Sequence, residues 1–438
     1  MTCLIQPFDP SRHADFLMDE SMRSGRAESI SFPKEENDVR QVLETLRARR
    51  IPVTIQGSLT GIAGDGVPSG GHVLNLSAMN RIIGMGRDTR GHYCLRIQPG
   101  VSLAGLRQQV ATRRFEQARE WDSSSLAELA RFKQEAGSWF WPPDPTEDTA
   151  SIGGMAATNA RGLCVHAYGL ARQHIQRVQW MDCLGICRVF DRGEDLNFFT
   201  DWKKSPVVIT ELTLRLLPEP ICMWGIVFFF PATAPAAAFI ETLDSIKGTA
   251  TADSRLASVE VLDQKSLEII DHFKENHPSF RHLPHVDKTA GMAVYLELHG
   301  EDETAMAELA VQLMDAVHEN EGDPDASLAA TTRGDLSRLR LFRKAAPHAA
   351  NFLTARARQT DDRITRLGYD WIQSWPSLDE QFKRIESDMT GAGVTGAVYG
   401  HALDQCLHVN LLPCDYPTYR AGKQLIRQWS QTAGKGPL

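Results

Sequence analysis

The stretch Trp139 to Gly169, WFWPPDPTEDTASIGGMAATNARGLCVHAYG, leaves its backbone few choices. Pro142, Pro143 and Pro145 fix φ and hold the chain extended, so Asp144, Thr146 and Glu147 are presented with little conformational freedom left to lose. Gly153 and Gly154 then open a turn that continues through small residues from Met155 to Gly162, where a flat ligand or its phosphates can touch main chain. Alone, the segment reads first as a tight loop between two strands. A second Gly-rich turn upstream separates these readings. Val53-Thr54-Ile55 reads as a short strand and delivers Gln56-Gly57-Ser58-Leu59-Thr60-Gly61-Ile62-Ala63-Gly64-Asp65-Gly66. Successive N–H groups there can turn toward one point, and the hydroxyls of Ser58 and Thr60 add donors, a set suited to a pyrophosphate. The segment is neither a Walker loop, having no GK[ST], nor a GxGxxG in a βαβ unit.

Periodicity places elements around these turns. Pro33 with Glu35, Glu36 and Asp38, followed by Val39, Val42, Leu43 and Leu46 at one-face spacing, predicts an amphipathic helix ending at Arg47, Arg49 and Arg50. His72 to Leu76 predicts an alternating strand, Tyr93 to Gln98 another, and Val101 to Val110 a helix. Trp121 to Glu135 predicts a short helix capped by Asp122 or Ser123 and packed through Leu126 and Leu129. MDCLGICRV reads as strand, turn at Gly185, strand, with Cys183 and Cys187 as two buried thiols.

Composition then excludes several classes. A formal net charge of -8 over 438 residues, with scattered basic residues, argues against a nucleic-acid partner. The basic run RLRLFRK, Arg338 to Lys344, reads as a solvated helix face. Eight dispersed cysteines with no CxxC pair argue against zinc ribbons and iron–sulfur clusters. The start MTCLIQPFDPSRHADF has no basic head before an apolar stretch, and the longest apolar run, Ile221 to Phe230, is far short of a membrane span. The expectation is a cytoplasmic protein without a transmembrane segment.

QGSLTGIAGDGVPSGGHVLNLSAMN (56–80), IQPGVSLAGL (97–106), PPDPTEDTASIGGMAATNARG (142–162), YGLAR (168–172) and VVITELTLRLLPEP (207–220) together resemble the flavin-binding domain of the vanillyl-alcohol oxidase superfamily. The resemblance is to its FAD-linked branch of D-lactate dehydrogenases and glycolate oxidase large subunits. It implies an α+β chain: a two-subdomain, PCMH-type FAD-binding domain over 1–220, then an α+β substrate domain over 221–438 with an antiparallel sheet covered by helices. It implies that Gln56, Gly57, Ser58, Thr60, Gly61 and Gly64 hold the FAD pyrophosphate and that Pro143, Asp144 and Thr146 line the flavin. Ser151, Gly153, Gly154 and Asn159 would form a second cradle, and Ile209 would face the adenine. Two of the branch's segments have no counterpart here: a GSEGTLG-type loop, where Arg192 to Lys204 leads directly into Pro206, and an EHG-type segment, since the chain ends at Leu438.

In the second half, strand and helix alternate: strand Ile226 to Phe230, helix Pro235 to Lys247, strand Ser258 to Leu262, a long polar excursion, strand Met292 to Leu298 and helix Asp302 to His318. His272, His277, His282 and His285 have irregular spacing and read as an exposed loop rather than a metal site. SVEVLD, LFRKAAP, GYDW and GHALDQCLHVNLLP resemble segments of the same branch's substrate domain. By that resemblance, Arg343 clamps a substrate carboxylate, and His401 and His408 ligate a divalent metal such as zinc or act on the hydroxyl proton. The implied partners are a small D-2-hydroxy acid, a redox acceptor protein or quinone, and a second copy or a paralogous subunit. Two functions stay open. One is an FAD-dependent oxidoreductase of D-2-hydroxy acids; the other is a catalytically reduced paralogue serving as a structural or regulatory subunit.

Overall fold

A computed structural model describes residues 4–191, 207–249, 253–284, 286, 289–372, 377–404 and 406–432. The stretch 192–206, where the GSEGTLG-type loop has no counterpart, as well as His285, Gln405 and the chain beyond Thr432, lie outside the described residues. By compactness the chain divides into two units, Met1–Leu163 with Tyr168–Glu219, and Cys164–Ala167 with Pro220–Leu438.

The first unit contains two main sheets. In the smaller, the strands Gln6–Pro7, Ser29–Ser31, His72–Asn75 and Val53–Gln56 lie side by side in that order, and the last three run parallel. His72–Asn75 is central and buried along its whole length, so the expected alternation is absent: a parallel strand covered on both faces has no solvent side. Helix Glu36–Ala48 starts with a capping box between Glu35 and Asp38 and buries Val39, Val42, Leu43 and Leu46 in a core shared with Leu74 and Met79. The larger sheet is antiparallel, in the order Ile82–Arg87, Tyr93–Ile97, Val208–Arg215, Ile175–Met181, Cys187–Asp191. Helices Leu103–Thr112, capped by Ser102, and Ser123–Gln134, capped by Asp122, bury Leu106, Val110, Leu129 and Phe132 in its core.

Three further expectations in this unit need correction. Leu126 points outward and is 40% exposed, because the buried stripe of its helix runs through Ser125, Leu129 and Phe132. Cys183 is exposed and Cys187 half-buried, since among the described residues their hairpin lies at an edge of the sheet. Gly153 and Gly154 lie not in a turn but in the helix Ile152–Thr158, nucleated by the Ser151 side chain accepting from Gly154 N.

The second unit is one seven-stranded sheet, in the order Leu328–Ala330, Cys222–Phe230, Met292–Gly300, Ser254–Asp263, Gly396–His401, Cys406–Leu411, Leu367–Trp371. All its pairings are antiparallel, so directly paired residues share a face and successive residues alternate between faces. One face carries Ile226, Phe228, Phe230, Val259, Val261, Val294, Leu296, Val398, Leu407 and Val409 and packs against helices Thr233–Thr249, Glu303–Glu319, Leu378–Gly391 and Tyr416–Thr432. Burying one such leucine or valine contributes about 1.5–3 kcal/mol, so this face supplies the unit's cohesion. The other face carries Tyr295, Glu297, His299, Glu260, Tyr399, His401, Cys406, His408, Asn410 and Asp370.

Helices Gln264–Asn276 and Arg333–Thr360 belong to this second face. The first of them replaces the expected polar excursion. Asp263 caps it, and Leu267, Ile270 and Phe273 are buried beneath a surface of charged residues that masks the period. His272 lies on this helix rather than in a loop, and His277 at its end stacks on Phe273. The expected solvated face of RLRLFRK is likewise corrected, because Arg340 and Arg343 turn inward onto buried glutamates while Arg338 stays exposed.

Candidate functional site

In the first unit, the two Gly-rich segments meet. A Cβ on Gly57 would lie 2.3 Å from Ser151 Oγ, and one on Gly153 would lie 2.5 Å from Pro99 Cβ, so glycine is required at both for the segments to approach. Gln56 does not face a ligand: its amide donates to Phe16 O and Gly66 O at 2.8 and 2.7 Å and accepts from Asn75, closing the 56–66 turn on itself. Within that turn Leu59 takes a left-handed φ of 60°, and a Cβ on Gly61 would meet nothing within 4 Å. Among the described residues no acceptor takes the N–H groups of Leu59, Thr60 or Gly61. A left-handed residue followed by unengaged N–H groups beside open space is a geometry that can receive an anion, and these residues are compatible with a pyrophosphate.

The second segment is different. N–H groups at the start of Ile152–Thr158 are already engaged: Ile152 to Val101 O, Gly153 to Pro99 O and Gly154 to Ser151 Oγ. It therefore offers a closely approachable small-residue surface rather than donors. Asn159 ends that helix with φ 51°, and Arg172 binds the carbonyls of Ala156 and Ala157 at 3.0 and 2.7 Å, satisfying the helix's C-terminal acceptors. Asp144 is buried and ion-paired with Arg107 at 3.0 Å; Arg107 also reaches Pro143 O. Pro143 is buried, Thr146, Ser58 and Gly64 are more accessible, and Ile209 packs inside the core of the larger sheet. Arg107, Arg172 and Asn75 brace these segments and were passed over in the sequence, because each acts on partners more than twelve positions away.

In the second unit, register builds the chemistry. Glu260, His401 and Cys406 form one row across three strands, and Tyr399, His408 and Asp370 form the next. Arg343, from helix Arg333–Thr360, places Nε 2.5 Å and Nη2 2.8 Å from the two oxygens of Glu260, and His401 Nδ1 lies 3.1 Å from the same carboxylate. Burial pushes the Glu260 carboxyl up, but Arg343 and His401 outweigh it and hold it below the ordinary glutamate value. His408 Nδ1 lies 2.6 Å from Asp370 Oδ1, and the two imidazoles are 5.7 Å apart, His401 deeply buried and His408 a quarter exposed. A carboxylate at Nδ1 takes that nitrogen's proton in a hydrogen bond and leaves Nε2 with the lone pair, which suits a metal ligand or a proton acceptor. Asp370, Cys406 and His408 also bring oxygen, sulfur and nitrogen donors within 4.8 Å of one another.

A parallel arrangement sits further along the sheet. Arg340 clamps Glu297 at 2.7 and 2.6 Å, with Tyr295 OH at 2.5 Å, His299 Nε2 at 3.1 Å and the Cys164 thiol at 3.7 Å from the same carboxylate. With its lone pairs taken in this way, Glu297 is an internal counter-ion rather than a ligand.

Comparison with known proteins decides the family. Residues 27–130 match the FAD binding domain, and residues 232–434 match the FAD linked oxidases, C-terminal domain. The chain belongs to the FAD-linked oxidases. A D-lactate dehydrogenase of Anaerostipes hadrus is 28% identical over 217 residues, 47% of this chain and 40% of that protein, so the chain matches under half of its length. A probable mitochondrial D-lactate dehydrogenase of Danio rerio is 25% identical over 405 residues, 89% of this chain and 70% of that protein. The 4-ethylphenol oxidase of Gulosibacter chungangensis, solved with isoeugenol, superposes with a TM-score of 0.66 over 98% of this chain and 85% of that one at 14% identity, a likeness of fold alone. The architecture is thus α+β with a PCMH-type FAD-binding fold. Among the described residues, no helix is long and apolar enough to cross a membrane.

Proposed function

We propose that this oxidoreductase oxidises a small D-2-hydroxy acid of the lactate or glycolate kind and passes the electrons to a protein or quinone acceptor. One observation carries the reading: two imidazoles, each oriented by a carboxylate, stand 5.7 Å apart on the polar sheet face, with the Tyr399 ring beside His408 and the Arg343 guanidinium on the Glu260 carboxylate. FAD, when bound, supplies the hydride acceptor. Gly57, Ser58, Thr60, Gly61 and Gly64 hold its pyrophosphate, with Gln56 bracing their turn. Pro143, Asp144, Thr146, Ser151, Gly153, Gly154 and Asn159 shape the surface that receives it, and Ile209 backs that surface from the core. His401 and His408 are placed to take the substrate's hydroxyl proton at Nε2, while Glu260 and Asp370 stabilise the imidazolium that forms. Arg343 keeps Glu260 ionised for that purpose.

The same Nε2 atoms suit a divalent cation such as zinc, which would lower the hydroxyl pKa in place of a base. Metal analysis of the purified protein, before and after chelation, separates the two uses. The engaged N–H groups at Ile152, Gly153 and Gly154 favour a second reading, a paralogous subunit that holds flavin weakly. The visible spectrum tests both. Flavin bands near one per chain, bleached anaerobically by D-lactate, glycolate or D-2-hydroxyglutarate, support the enzyme; a colourless protein that refuses added FAD refutes it.

A further inference from the structure

Arg340 and Arg343 on the polar sheet face are each matched by a buried carboxylate, through the Nε and Nη2 edge that recognises carboxylates best. Arg366 is not. It immediately precedes the strand Leu367–Trp371, and its Nε and Nη2 lie 3.2 and 2.9 Å from a single neutral oxygen, Asn410 Oδ1. Among the described residues no carboxylate pairs with it. Asn410 is fixed in that orientation because its amide nitrogen donates to Tyr399 OH at 2.9 Å. A guanidinium edge built for two oxygens is thus held in place by one, with three further N–H groups remaining of its five.

The surroundings leave room for an anion there. Asn410 pairs with Ala397 on one side and Gly368 on the other, so its row carries nothing larger than a methyl group beside it. A Cβ on Gly368 would sit 3.8 Å from both Arg366 Nε and Asn410 Oδ1, which shows the guanidinium lying over this glycine. The next row on the same face is Tyr399, His408 and Asp370. Same-face rows are about 7 Å apart along a strand. Two hydrogen bonds of about 2.8 Å bridge that distance around a molecule whose carboxylate and hydroxyl sit on adjoining carbons.

The geometry points to Arg366 as the anchor for the substrate's carboxylate, supported by Asn410, with His408 the imidazole nearest the hydroxyl and Arg343 the fixed counter-ion of Glu260. The choice of a 2-hydroxy acid rests on the function proposed above; the anion site does not need turnover. Calorimetric titration of the full chain with oxalate, an unreactive carboxylate, tests it. Arg366→Gln lowers oxalate affinity about tenfold to a hundredfold, the scale of a lost charged hydrogen-bonding partner. Asn410→Asp lowers it comparably while keeping Arg366, by placing a resident carboxylate in the fork, and circular dichroism confirms that both variants are folded. Wild-type affinity in folded Arg366→Gln, or a wild-type protein that does not bind oxalate, overturns the assignment. If no hydroxy acid bleaches the flavin but oxalate still depends on Arg366, the reaction falls and the anchor stands. If bleaching proceeds in Arg366→Gln with unchanged KM, the anchor falls and the reaction stands.

Discussion

Replacing Arg343 by methionine tests the electrostatics of the polar face most directly. Methionine keeps much of the length and removes the charge, leaving Glu260, 3% exposed, without the cation that holds it ionised. Two charge-assisted hydrogen bonds, at 2.5 and 2.8 Å, are lost. At about 1.5–3 kcal/mol each they amount to roughly 3–6 kcal/mol, in line with the ~3–5 kcal/mol cost of breaking one side of a buried pair. For a unit of this size that lowers Tm by about 10 °C at neutral pH.

The sign of the pH dependence adds a second signature. In the wild type Arg343 depresses the Glu260 pKa, so the stabilisation is present above the unfolded carboxylate pKa and is lost as pH falls through the folded value. In the variant burial dominates and raises that pKa. The folded variant then favours protonated Glu260, so its stability is greatest below the unfolded pKa and declines as pH rises. The gap in Tm between the two proteins, followed by circular dichroism, therefore narrows as pH falls from 7 toward 4. Adding Glu260→Gln to the variant recovers part of the loss. A variant melting within about 1 °C of the wild type at pH 7, or a gap that does not change with pH, would refute the charged-pair reasoning.

Other outcomes follow from separate parts of the molecule. Gly57→Ala pushes a Cβ into Ser151 Oγ and weakens FAD binding about tenfold by fluorescence quenching, whereas Gly61→Ala, with open space around it, leaves Tm unchanged. His72 sits between Ser29 and Ser31 hydroxyls, each 2.8 Å away, and burial pushes its pKa down to about 4, so the first unit loses stability as pH falls from 6.5 toward that value; His72→Gln flattens this slope in a pH series of thermal melts. Leu126→Gln changes stability by less than about 0.5 kcal/mol in urea unfolding while Leu129→Ala costs about 2–5 kcal/mol, reversing the equivalence that spacing implied.

What could be read from the chain was whatever local chemistry determines. Helix Glu36–Ala48 announces itself through its first-turn acids and one-face period, and the 56–66 turn through its glycines, because both signals lie within a dozen residues. Gly153 and Gly154 were legible as a place of close approach, yet their helix depends on carbonyls of Pro99 and Val101, some fifty positions earlier. Helix Gln264–Asn276 stayed hidden because charged residues interrupt its apolar stripe, although Asp263 and Ser266 mark its cap. Arg343 and Glu260 are 83 residues apart and meet only through sheet register, so no spacing rule could predict that the run RLRLFRK faces inward. Arg366 was invisible for the same reason: its importance lies in having an amide where its neighbours have carboxylates.

Four residues, Cys164–Ala167, belong to the second unit although the chain on both sides of them belongs to the first. The boundary is therefore crossed three times, and no single cut point divides the molecule. A fragment ending at Glu219 would carry Cys164 away from Glu297, and a fragment starting at Pro220 would lack this inserted strap. Recombination between relatives meets the same constraint. Exchanging the second unit by one crossover leaves a four-residue remnant of the old parent inside the new partner's fold, so a chimera that transfers substrate preference intact has to exchange 164–167 together with 220–438.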